Sequence, residues 1–101
     1  MKFDSYNSFF MNFANKTKLN IILFLKEGSM SVNEIVKKTG MEQSKVSHNL
    51  TRLTKCNIVN VEQKGKQRIY SLNKKTVEPL LNLVKNHIKQ NCPMNCKECE
   101  C

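Results

Sequence analysis

The chain has 101 residues, 40% of them hydrophobic, and a formal charge of +9. That length supports one small domain whose modest core would gain from pairing with a second copy, and it excludes a large catalytic barrel. The longest aliphatic and aromatic run, Ile21 to Leu25, is far too short for a membrane span or a signal peptide, so a cytoplasmic protein without a membrane partner is expected.

The first element carries Phe3, Tyr6, Phe10 and Phe13 at helical spacing, an aromatic stripe read as packing. Asn15 or Thr17 can cap a second helix, in which Leu19, Ile22 and Leu23 share a face and Gly28 marks the end. Ser31-Val32-Asn33-Glu34 has the S-x-x-E form of a capping box and opens a short helix that stops at Thr39-Gly40. The next stretch, MEQSKVSHNLTRLTKC, places Val46, Leu50 and Leu53 on a narrow apolar stripe. Ser44, Lys45, Ser47, His48, Thr51 and Arg52 point away from it. Two short helices around a glycine turn, the second polar on its outer face, form a helix-turn-helix pattern. Cys56 ends the second of these helices, and a lone thiol there is expected to be a buried apolar filler.

The period then changes to two. Val59 and Val61 alternate with Asn60 and Glu62, and Tyr70 and Leu72 alternate with Ile69 and Ser71. Gly65 lies between the runs and supplies the positive φ of a hairpin turn. The result is a two-stranded wing with a basic tip. The last helix shows Val77, Leu80, Leu81, Val84 and Ile88, with Leu83 and His87 beside them and Pro79 in its first turn. That apolar band is wide enough to touch both its own domain and a partner subunit. The expected fold is therefore mainly α with a two-stranded β-wing: a winged helix-turn-helix over residues 1–91, dimeric through its terminal helices. Residues 92–101 follow as a cysteine-rich tail.

Positive charge is concentrated in the middle of the chain. Between Glu42 and Lys75 eight lysines and arginines face two glutamates. On charge alone a polyanion partner and a merely solvated face are equally compatible. Set on a helix-turn-helix and wing, the arrangement favours duplex DNA. Gln43, Ser44, Ser47, His48 and Thr51 can reach base edges or phosphates from a helix in the major groove. Lys45, Arg52, Lys64, Lys66 and Arg68 can pair with phosphate, which gives affinity more than sequence reading. Plainer roles stand beside these. His48 can bond a phosphate or support the turn, Ser44 can satisfy helix-start amides, and the wing lysines can simply discourage strand pairing.

These motifs resemble the arsenic-repressor (ArsR) family of small dimeric winged-helix transcription regulators. NKTKLNIILFLKEG is similar to that family's second helix. MEQSKVSHNLTRLTKCNIVNVEQKGKQRIYSLN is similar to its recognition helix and wing, with the S-x-V-S-H-x-L core at Ser44 to Leu50. The match runs from about Asn15 to Asn73. It implies a homodimeric repressor that binds double-stranded operator DNA and releases it when an effector binds. It also implies two places to look for a sensor. Where the family can carry a cysteine pair before the recognition helix, this chain has Ser31 and Asn33. Where it can carry carboxylate and histidine ligands on the last helix, His87 is followed by Gln90 and no D-x-H pair opens the helix.

The tail offers a different donor set. Of five cysteines, four fall in the last ten residues, as Cys92-x3-Cys96-x2-Cys99-x-Cys101. An odd total in a chain of this kind argues against a disulfide framework. Thiolates are soft ligands for zinc, another thiophilic ion or an iron–sulfur cluster, within one chain or shared between subunits. A thiol redox switch and an inert reduced tail are the other readings. No catalytic constellation is visible, so no enzyme is expected. The rival functions are a redox- or ligand-responsive regulator of the same fold and a dimeric module for protein or RNA.

Overall fold

The computed structural model describes residues 3–91, so the four tail cysteines lie outside it. Two helices come first: α1 (Phe3–Ala14) and α2 (Lys16–Glu27). They are separated by Asn15, whose side-chain oxygen accepts from the Lys18 amide at 3.0 Å and so begins α2. A two-residue strand β1 (Met30–Ser31) leads into α3 (Val32–Thr39). The expected capping box is formed. The Glu34 amide donates to Ser31 Oγ at 3.2 Å, and the Ser31 amide donates to Glu34 Oε1 at 3.1 Å. Gly40 closes α3 in the left-handed region at φ 74°, and α4 (Gln43–Lys55) starts three residues later.

Helix α4 ends in a Schellman motif. The Ile58 amide donates to the Leu53 carbonyl at 3.0 Å and the Asn57 amide to the Thr54 carbonyl at 3.1 Å, with Asn57 at φ 57°. Ile58 and Leu53, the apolar pair that accompanies this motif, are both fully buried. The hairpin β2 (Val59–Lys64) and β3 (Gln67–Leu72) follows, then α5 (Val77–Asn91). Lys64 pairs with Gln67 across the turn, where Gly65 has φ 62° and Lys66 has a negative φ. Glycine first with positive φ is the type II′ arrangement, whose twist suits a tight hairpin. The wing is the expected two-stranded ribbon, and β1 adds to it in the sheet order β1-β3-β2, Met30 facing Tyr70.

The core gathers Ile21, Ile22 and Leu25 of α2, Ile35 of α3, Val46, Leu50 and Leu53 of α4, Tyr70 and Leu72 of β3, and Val77 and Leu81 of α5. Three expectations change here. Leu23 does not share the buried face of Ile22 but lies outside it, beside Leu81, Val84 and Ile88. Most of the α1 stripe is not packed within the chain: Phe3, Tyr6 and Phe10 are exposed, and of the stripe Phe13 alone packs against the core, joined there by Phe9. Val61 is also exposed, because the wing runs out past the core after Val59. Helix α5 divides as its width implies: Val77 and Leu81 face the core, while Leu83, Val84 and Ile88 face outward. Among the described residues no helix is long and apolar enough to cross a membrane.

Candidate nucleic-acid interface

Helix α4 presents its two faces cleanly. Val46, Leu50 and Leu53 are fully buried and hold the helix on the core. Gln43, Ser44, Lys45, His48, Thr51 and Arg52 are exposed, and Ser47 is half-buried at the edge of the face. Asn49 is turned inward and anchored by its Nδ2 donating to the Lys45 carbonyl at 2.8 Å. Glu42 makes no side-chain hydrogen bond to the start of α4, so the first-turn amides stay open to solvent or an anion.

Two exposed side chains are already paired. Arg52 Nε donates to His48 Nε2 at 3.0 Å, one turn earlier. A guanidinium has no lone pair to offer, so the imidazole nitrogen is the acceptor and His48 orients the guanidinium. Thr51 Oγ1 donates to the Ser47 carbonyl at 2.9 Å, which leaves Thr51 only its lone pairs, able to accept from a base amino group but not to bond a phosphate.

The wing stands beside the start of this helix. Gln43 of α4, Ser31 and Asn33 at the start of α3, and Gln63, Lys66, Gln67 and Arg68 of the wing line one cleft of about 430 Å³. The fold therefore gathers Gln43, Lys66 and Arg68 around a common space. Lys64 sits at the end of β2 on the same exposed ribbon, and Ser47, His48 and Arg52 lie further along α4. Cations, carboxamides and hydroxyls line these surfaces. The carboxamides Asn33, Gln63 and Gln67 were missed from sequence, because only the hairpin register and the α3 start bring them to the cleft. Gln63 is held at the turn, its Nε2 donating to the Gly65 carbonyl at 2.9 Å.

Comparison with known proteins settles the family. The model of the bacterial regulatory protein arsR family matches residues 15–61. The probable mercury resistance operon repressor of Streptomyces lividans is 30% identical over 82 residues, 81% of this chain and 66% of that one. The HTH-type transcriptional regulator NmtR of Mycobacterium tuberculosis is 35% identical over 69 residues, covering 68% of this chain and 58% of that protein. The solution structure of apo-NmtR superposes with a TM-score of 0.74 at 30% identity, over 86% of this chain and 73% of that one. This chain belongs to the arsR family. A homodimeric winged helix-turn-helix DNA-binding domain from Mycobacterium bovis, a possible ArsR-family regulator, is a further neighbour. It matches with a TM-score of 0.74 and 27% identity over 81% of this chain and 76% of that domain. The relatives it matches in sequence are transcriptional regulators rather than enzymes.

Cys56 requires a correction. Expected as a buried filler, it is exposed, since it is the C-cap residue of α4 and the Schellman turn directs Ile58, not Cys56, into the core. His87 on α5 is exposed and neighbours Asn91, whose Nδ2 lies 3.4 Å from His87 Nδ1. Among the described residues no three His, Cys, Asp or Glu side chains gather as a metal site.

Proposed function

We propose that this arsR-family chain is a dimeric, operator-binding transcriptional repressor whose effector acts through Cys92, Cys96, Cys99 and Cys101. The observation that carries the DNA-binding part is the junction of α4 and wing. An exposed polar helix face, fixed from beneath by three fully buried residues, starts at a cleft that it shares with Lys66 and Arg68. Helix dimensions suit the major groove, and a cationic ribbon beside it suits the sugar-phosphate surface. Gln43, Ser44, Ser47, His48 and Thr51 read or position; Lys45, Arg52, Lys64, Lys66 and Arg68 neutralise phosphate. Dimerisation is supported by the outward apolar faces of α1 and α5 and by the homodimeric relative. Residues 1–91 are the binding and dimerisation unit, and residues 92–101 are an appended sensor.

Support for the sensor is chemical. Four thiols within ten residues form a soft donor set for zinc, another thiophilic ion or an iron–sulfur cluster. One relative is a probable mercury resistance operon repressor. Loading the tail at the end of α5 would shift the separation of the two recognition helices, which must match a half-site spacing of about 34 Å.

The test is anisotropy with labelled duplexes at rising salt, on reduced, metal-free protein, with zinc, cadmium or mercuric ion added in turn. Sequence-selective binding that weakens steeply with salt is expected, as is an ion response that disappears when the four tail cysteines become serine. Binding no stronger to any duplex than to RNA would defeat the DNA reading. An unchanged response in the serine variant would move the sensor elsewhere.

A further inference from the structure

Between the recognition helix and α5 the chain passes through Asn73, and every polar atom of that residue is engaged. Its amide donates to the Ile58 carbonyl at 3.0 Å, and its side-chain Nδ2 donates to the Asn57 carbonyl at 2.9 Å. Asn57 and Ile58 are the two residues that close α4 in its Schellman turn. On the other side, Asn73 Oδ1 accepts from the Lys75 amide at 2.9 Å, and its carbonyl accepts from the amides of Val77 and Glu78 at 3.1 Å each. One residue thus holds the end of one helix and the beginning of another.

We propose that Asn73 is a positioning residue that fixes the recognition helix relative to α5. The physical argument is one of constraint. The Asn57 and Ile58 carbonyls belong to a turn whose own hydrogen bonds fix the end of α4. A displacement of α5 therefore reaches α4 through two short bonds. Fully satisfied polar links of this kind have one good geometry, unlike apolar contacts that can slide. The consequence for operator binding rests on the DNA-binding reading above; the mechanical link does not.

The roles of the two side-chain atoms are fixed by their partners, since Lys75 supplies a donor and Asn57 an acceptor. Asn73→Asp exploits this. A carboxylate still accepts from the Lys75 amide and places negative charge favourably at the start of α5, but it has no hydrogen to give the Asn57 carbonyl. Amide hydrogen exchange on the full chain reads the link without DNA. In Asn73→Asp, protection of the Cys56, Asn57 and Ile58 amides is expected to fall at least fivefold, while that of Val77 and Glu78 is retained. Unchanged exchange at the end of α4, or equal loss at both helices, overturns the proposal. A second readout uses duplexes whose half-sites are moved by one base pair. The wild type is expected to discriminate between spacings, and Asn73→Asp to lose at least threefold of that preference. If the wild type binds no duplex, the repressor reading fails while the exchange result still decides the link.

Discussion

His48 and Arg52 show how a single contact can assign roles on an exposed helix. The 3.0 Å bond makes the imidazole the acceptor and holds the guanidinium, so in the proposed DNA-binding reading His48 acts through its neighbour as well as directly. His48→Ala is expected to weaken operator binding by about 1 kcal/mol, roughly fivefold, with folding stability unchanged within about 0.5 kcal/mol. Anisotropy and urea denaturation on the same sample separate the two; an equal loss of stability would make the residue structural. Asn57 is a second case. At φ 57° an L side chain is strained, and asparagine and glycine tolerate that region best. Asn57→Gly should therefore fold as well as wild type, whereas Asn57→Val should lose about 1–2 kcal/mol in denaturant. Neither residue's bond was readable in the sequence. Composition offers histidine and arginine four apart, but only the rotamers show which donates. Cys56 misled for a related reason, because one residue of turn separates an inward from an outward position.

Elements were far more legible than contacts. Caps and periodicity are local, so Asn15, the Ser31–Glu34 box, Gly40 and the Gly65 turn announce where elements start and stop, and the structure places them there. Faces that depend on packing were read less well. Leu23 and the α1 aromatics have helical spacing, yet spacing cannot say whether their cover comes from the same chain. Strand β1 is two residues long and exists only because β3 offers it an edge, so no pattern announced it. At this scale two expectations follow. Ser31→Ala removes one half of the capping box and should cost about 1 kcal/mol of stability, read as a fall in thermal midpoint of a few degrees. A fall of less than one degree would show the box to be ornamental. The wing should behave as a charged ribbon without sequence preference. Each alanine at Lys64, Lys66 or Arg68 that removes a phosphate contact lowers the slope of log affinity against log salt by about 0.9, equally for operator and random duplex. A variant that changes operator preference instead would assign base reading to the wing.

For the whole molecule the decisive quantity is the apolar surface left on one side. Phe3, Tyr6, Phe10 and Met11 of α1 and Leu83, Val84 and Ile88 of α5 are exposed, with Leu83 at 68% and Ile88 at 48%, and Phe10 and Val84 line one apolar cleft. So many large apolar side chains on the first and last helices of a small domain are unfavourable in water and mark an interface. A second copy on this face would add to the modest core that a chain of this length can bury by itself. A two-fold axis through this face would repeat α4 on the far side, and operator selectivity then depends on both copies engaging at once. Replacing Leu83 and Ile88 with glutamate tests this directly, because both project from the fold and neither supports the core. The double variant should keep its helical circular dichroism and sediment as a single chain. Its affinity for the best operator should fall toward that for random duplex, a loss of about a thousandfold for a typical specific site. The wing and α4 remain intact in such a chain, so residual, salt-sensitive binding is expected to persist. A variant that stays paired would place the dimer surface elsewhere, and a single-chain variant with undiminished selectivity would separate recognition from symmetry altogether.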